Sequence, residues 1–242
     1  MKFRFNRFLY CLAVIVFSAI LSFPGFCAEA GNAEGTSSVI PEGELRTILT
    51  RIEENMNQIT SLKTKIIQEK KISLFSEPVF SNGILLFKSP DKIRLEYFDP
   101  FRSVLLVSKD KIYKYEMVNG KWENLGSGDE KMMRVILDHI ASWIKGRFNE
   151  KKLYSVSGRY RMVENRTAYC ILLEPKAEGF KSFISGFELG INENMTRLDH
   201  IIIKEPNGDY TKLMFHDDQI NTGIQDLYFT GNSQNFSAVP QW

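Results

Sequence analysis

Three histidines, one internal cysteine and a few neighbouring carboxylates are the residues of this chain best suited to chemistry. Their spacing assembles no reactive group. His139 follows Asp138, His200 follows Asp199, and His216 precedes Asp217 and Asp218. A zinc site needs three or four ligands at short recurring spacings, which these histidines do not offer. His216-Asp217-Asp218 has the atoms to touch a divalent cation, but a solvated turn accounts for the same residues. Cys170 sits in the apolar run Ala168–Leu173, without a flanking base, and reads as a buried small hydrophobe. No Gly-x-Ser-x-Gly elbow, phosphate loop or dinucleotide fingerprint occurs. Carboxylate pairs such as Glu53-Glu54 fall on the polar side of a predicted helix, where nothing gives them acid–base work. The chain therefore reads as a non-enzyme without metal or cofactor.

Charge removes a further class. The 242 residues hold 31 Lys and Arg against 29 Asp and Glu. Three of the basic residues but one acid lie within residues 1–30, so the rest is neutral. A neutral domain lacks the basic footprint of a nucleic-acid binder. Residues 1–30 themselves have the form of a cleaved export signal. Lys2, Arg4 and Arg7 precede the uncharged apolar run Phe8–Phe23, and small residues follow at Ala28-Glu29-Ala30. A run of that length is short for a membrane anchor. Cys11 and Cys27 fall in this leader, which leaves Cys170 alone and no internal disulfide to be made.

The elements follow from hydrophobic period. Residues 31–42 are small and polar, a flexible N-terminus of the exported chain. Leu45, Ile48, Leu49, Ile52, Met56 and Ile59 recur at helical spacing and predict an amphipathic helix over 43–60. From Leu62 the period becomes two. Strand-like runs follow at 80–88, 92–98, 103–108 and 111–118, with an Asn119-Gly120 hairpin turn into Lys121-Trp122-Glu123. A second helix, capped near Ser127-Gly128-Asp129, carries Met132, Met133, Ile136, Leu137, Ile140, Trp143 and Ile144 as far as about Phe148. Further strands are expected at 152–163, 167–174, 186–192, 195–204 and 210–216, with a helical turn at 177–184 and a last strand at 226–232. Short strands joined by tight turns make an antiparallel meander. The whole is a single α+β domain over 43–242, built on one large curved sheet. In 92–98, Ile93, Leu95 and Tyr97 share one face while Arg94 and Glu96 take the other. In 111–117, Tyr113, Tyr115 and Met117 alternate with Ile112, Lys114 and Glu116.

From about residue 43 to the end the sequence resembles the LolA family of periplasmic lipoprotein carriers. The likeness is densest at Asn82–Pro90 (NGILLFKSP) and Lys92–Pro100 (KIRLEYFDP), followed by Val104–Val107 and Lys111–Tyr115. The resemblance implies an unclosed half β-barrel lidded by amphipathic helices. Its apolar interior would hold the acyl chains of lipoproteins crossing the periplasm as a monomer, from an inner-membrane release complex to an outer-membrane acceptor. Each acyl CH₂ so shielded is worth roughly 0.8 kcal/mol. Matching positions put Ile93, Leu95, Tyr97, Tyr113 and Tyr115 toward the cavity. By the same resemblance Met132, Met133, Ile136, Ile140 and Trp143 would form the lid. Where carriers of this family place an arginine before the proline that ends the second strand, this chain has Ser89. A paralogue carrying another lipid or glycolipid is the alternative, as is a non-enzymatic periplasmic interaction or sensor protein.

Overall fold

A computed structural model describes residues 38–108, 111–125, 130–148, 152–164 and 166–238. The expected leader lies outside them, as do the cap near 127–129 and residues 31–37. Helix α1 (Glu42–Met56) enters from Pro41 with Glu42 and Glu44 in its first turn, where carboxylates favour a helix N-terminus. It ends as the Asn57 N–H bonds the Glu53 carbonyl, so the helix is shorter than its apolar period suggests. Strands β1 (Ser61–Lys71), β2 (Val79–Lys88), β3 (Lys92–Asp99), β4 (Ser103–Ser108), β5 (Lys111–Val118) and β6 (Lys121–Asn124) follow. Helix α2 (Glu130–Ile144) interrupts them. Then come β7 (Tyr154–Val163), β8 (Arg166–Pro175), the single turn α3 (Glu178–Lys181), β9 (Gly186–Ile191), β10 (Leu198–Lys204) and β11 (Tyr210–Ile220).

All eleven strands belong to one antiparallel sheet, in the order β6-β5-β4-β3-β2-β1-β11-β10-β9-β8-β7. The first and last strands pair at its centre, Ile66 opposite Phe215 and Gln68 opposite Leu213. Its edges are β6 and β7, which are consecutive in sequence, and α2 is the segment between them. The sheet is therefore an unclosed, curved half-barrel with helices on its inner side. Residues 38–40, expected within a flexible N-terminus, instead run along β7. Ile40 N–H donates to the Gly158 carbonyl at 2.9 Å and Tyr160 N–H to Ser38 at 2.8 Å. That pairing occupies part of an edge that would otherwise invite strand addition.

Both faces of the sheet are buried in part, each by a different cover. The inner face packs against α1 and α2 in the main core, where Leu85, Leu95, Ile171, Leu189, Ile201 and Leu213 meet Ile52, Ile140 and Trp143. The outer face of β2–β6 carries a second core of Ile84, Leu86, Val104, Leu106 and Tyr115. Residues 224–236 cover it with Ile224, Tyr228, Phe229 and Phe236. The strand expected at 226–232 does not form. Both sides of β11 are already paired, so this segment has no sheet edge to join and folds as 3-10 turns at Asp226–Phe229 and Ser233–Ala238. Among the described residues no helix is long and apolar enough to cross a membrane.

Candidate functional site

The inner face is set by strand register, because residues directly opposite in antiparallel strands point the same way. Ile93 faces Phe87 and Val107, Leu95 faces Leu85 and Leu105, and Tyr97 faces Gly83 and Ser103. These rows continue through Leu62, Thr64 and Ile66 of β1 and across β11 to β8 as Phe215, Leu213, Ile201, Leu189 and Ile171. The result is a wide apolar bed, and Ile93, Leu95 and Tyr97 lie in it together, all buried. Tyr113 and Tyr115 do not. Tyr113 pairs with Leu106 and Tyr115 with Val104, on the outer face with Arg94 and Glu96. Their inner-facing neighbours are Ile112, Lys114 and Glu116, opposite Val107, Leu105 and Ser103. Tyr115 instead donates its hydroxyl to the Gly231 carbonyl at 2.7 Å, holding the C-terminal segment.

The helical cover uses the expected stripe. Met133, Ile136, Ile140 and Trp143 are buried against the bed; Met132 lies on α2, but its side chain is outside the described residues. The Trp143 ring meets Phe187 edge-on at 4.8 Å. His139, on the same helix, holds Nδ1 2.6 Å from the Val135 carbonyl, so that nitrogen carries the proton. Its Nε2 hydrogen-bonds the Tyr154 hydroxyl at 3.0 Å, tying α2 to β7. At the end of α2, Gly146 has φ +71° and lies so close to α1 that a Cβ would stand 2.8 Å from the Ile52 carbonyl oxygen. Arg147 reaches across to Asn57 Oδ1 at 2.7 Å. The two helices thus close over the bed as a joined pair.

Where α1 and α2 end over β1 and β11, a pocket lined by Met56, Ile59, Leu62, Ile144, Leu198 and Phe215 holds about 10 Å³, room for one water at most. A larger groove of about 370 Å³ lies outside, along Lys65, Ile67, Asn82, Ile84, Phe98 and His216.

Polar groups within the bed escaped the sequence reading. Gln68 accepts from the Tyr97 hydroxyl at 2.7 Å, and burial pushes that phenol's pKa up. Lys70 pairs with Glu205, both nearly fully buried, beside Thr211. The signal was present: Gln68 and Lys70 occupy the inward phase of β1, in register with Thr64 and Ile66. On the outer face, burial first and then Glu188 push the Cys170 thiol up to about 12, so it is protonated and unreactive at neutral pH. Among the described residues no group of three His, Cys, Asp or Glu side chains is placed to hold a metal.

The site is thus the apolar inner face of a half-barrel, closed by two amphipathic helices. The family described as Outer membrane lipoprotein carrier protein LolA matches residues 57–231, and the chain belongs to it. No curated protein matches the chain in sequence. Among solved structures, it is similar to a LolA superfamily protein of Nitrosomonas europaea at 12% identity, covering 76% of this chain and 96% of that one, with a TM-score of 0.39. It is similar to the Mycobacterium tuberculosis lipoprotein LppX at 13% identity, over 74% and 98% of the two chains, with a TM-score of 0.44. The MucA/MucB complex of Pseudomonas aeruginosa gives 13% identity, 78% and 61% coverage and a TM-score of 0.41.

Proposed function

We propose that this protein is a periplasmic carrier, exported by the segment at 1–30. It shields the acyl chains of lipoproteins between the inner face of its sheet and helices α1 and α2, and delivers them from the inner to the outer membrane. The observation that carries this reading is the composition of the two covering layers within a LolA-family chain. A wide, mostly apolar bed is covered on the inner side by helices rather than by a second sheet. Helices have satisfied their own backbone hydrogen bonds, so moving them away breaks side-chain contacts without opening a ladder. An acyl chain that replaces the apolar faces of α1 and α2 keeps the bed dry and leaves the sheet intact. Ile93, Leu95 and Tyr97 are the sheet side of that contact; Met133, Ile136, Ile140 and Trp143 are the lid side. Tyr113 and Tyr115 have no part in it.

Native mass spectrometry of the protein purified from its periplasm without detergent tests the reading. A bound acylated species, lost on organic extraction, is the expected result. The packed interior favours one second reading, a non-enzymatic interaction protein whose lid stays closed. Failure of the emptied protein to take up added lipopeptide, fatty acid or phospholipid would select it.

A further inference from the structure

The inner face of β11 carries one carboxylate that the core does not explain. Lys63 pairs with Gln219 and Lys65 with His216, so Asp217 and Asp218 together stand opposite Thr64. This is a β-bulge, and Asp217 takes the left-handed conformation it needs, at φ +56°. The Thr64 hydroxyl donates to the His216 carbonyl at 3.0 Å across the bulge. The extra residue changes the phase of the strand. Asp217 turns out to an exposed ion pair with Lys65 at 2.8 Å, while Asp218 turns inward and lines the small apolar pocket beneath the ends of α1 and α2.

Asp218 is an unusual neighbour for that pocket. Its side chain is 8% exposed. One oxygen, Oδ2, accepts from Arg197 Nη1 at 3.2 Å. The other, Oδ1, is buried without a hydrogen-bond partner among the described residues. A carboxylate oxygen in that condition costs free energy that a well-placed donor would recover. Arg197, itself part-exposed and also 3.4 Å from Asp199, completes the polar rim. Met56, Ile59, Leu62, Ile144, Leu198 and Phe215 form the apolar wall.

We infer that this junction is the mouth of the acyl site, and that Asp218 and Arg197 bind the amide that joins an acyl chain to the N-terminus of a lipoprotein. The inference rests on the carrier reading. An N-acyl amide presents an N–H and a carbonyl side by side. The N–H donates to Asp218 Oδ1, the carbonyl accepts from Arg197, and the chain runs inward past Phe215 as α1 and α2 separate. A free fatty acid offers half of the match: its carboxylate can accept from Arg197, but it has no N–H for Asp218 Oδ1, and the Asp218 charge repels it. The bulge selects the aspartate at the rim: strict alternation from Phe215 would turn Asp217 inward and Asp218 to solvent, and the extra residue reverses the two.

The test uses the full exported chain and three probes: a synthetic palmitoylated lipopeptide with an N-acylated diacylglyceryl-cysteine, palmitate, and dipalmitoyl phosphatidylethanolamine. Asp218→Leu is expected to weaken lipopeptide binding at least about 10-fold, the worth of a hydrogen bond to a charged group. Palmitate binding should hold or tighten as the repulsion is removed, and phospholipid binding should stay within about twofold. Equal weakening of all three, or no weakening of the lipopeptide, overturns the inference while leaving the carrier reading standing. An effect confined to the phospholipid overturns it in favour of a lipid headgroup. Binding of no probe by the wild type removes the carrier reading and the inference together. A lipopeptide with a diazirine beside the amide, used on the wild type, gives a readout independent of variant folding. Adducts on Met56, Ile59 or Ile144 are expected, and adducts confined to other segments overturn the assignment.

Discussion

Arg94 and Glu96 stand two residues apart on the outer face of β3, and the guanidinium meets the same carboxylate oxygen through Nε at 3.1 Å and Nη2 at 2.7 Å. Both side chains are essentially inaccessible. Arg94 Nη1 also donates to the Tyr228 carbonyl at 2.9 Å, and the guanidinium lies 4.6 Å from the centre of the Phe236 ring. Burial pulls the two groups in opposite senses, raising the pKa of Glu96 and lowering that of Arg94, and each opposes the other's shift. The pair is the joint between the sheet and its C-terminal cover.

Removing Glu96 leaves the Arg94 charge buried without a carboxylate partner, whereas Glu96 has a second cation in Arg102 at 3.7 Å. Glu96→Ala should lower stability by about 3–5 kcal/mol, and Arg94→Met with Glu96→Leu should recover much of that loss. Urea denaturation of the two single variants and the double variant measures it. Additive losses in the double variant would contradict a coupled pair.

The two faces of β3 and β5 predict different consequences for neighbouring tyrosines. Tyr115→Phe removes the bond to Gly231 and should cost about 1 kcal/mol while leaving lipopeptide affinity unchanged. Tyr97→Phe acts on the inner face and should alter affinity, since it frees Gln68 within the bed. Binding isotherms for both variants decide the matter; a larger effect from Tyr115 would place the ligand outside.

The C-terminal cover has an acid-sensitive clasp. Asp226 accepts from Lys88 at 2.8 Å and Lys92 at 2.9 Å, and these bonds hold its pKa down at about 2 from an ordinary 3.8. A depressed carboxylate contributes stability above its unfolded pKa and loses it as pH falls through the folded one. The clasp should therefore loosen between about pH 4 and pH 2. Trp122, which packs on Phe236 at 5.2 Å, reports the change by fluorescence. Asp226→Asn should abolish that acid step; its persistence would assign the step to another group.

Gly146→Ala places a methyl against the Ile52 carbonyl at a positive φ. The backbone conformation alone costs an L-residue about 1–2 kcal/mol, and the clash adds to it. Thermal unfolding should show the loss, together with weaker contact between α1 and α2. An unchanged midpoint would mean that the two helix ends can part without penalty.

Much of this fold was legible because strand and helix periods differ so plainly. The alternation in Ile93, Leu95 and Tyr97 identified a face, and the stripe from Met133 to Trp143 identified its cover. The alternation in β5 misled for a physical reason. Both faces of that strand are partly buried, so aromatic residues at 113 and 115 mark the outer core as readily as the inner one. Only pairing to β4 distinguishes them, and register is not written in one strand. The cover itself was misread as a strand, because Tyr228 and Phe229 suit a sheet in composition but find no free edge. Asp218 was invisible for a third reason: an Asp-Asp at a strand end looks the same whether or not a bulge turns one of them inward.

The pairing of β1 with β11 at the centre has a mechanical consequence. In a closed barrel the number of strands and their stagger fix the radius. Here the sheet's two margins belong to consecutive strands that do not pair with each other, and α2 lies in the interval between them. Circumference is therefore not conserved. A change of girth would need only a small adjustment of coil shared among ten ladders, with no ladder broken, so the volume beneath the helices is set by curvature and not by a fixed strand count.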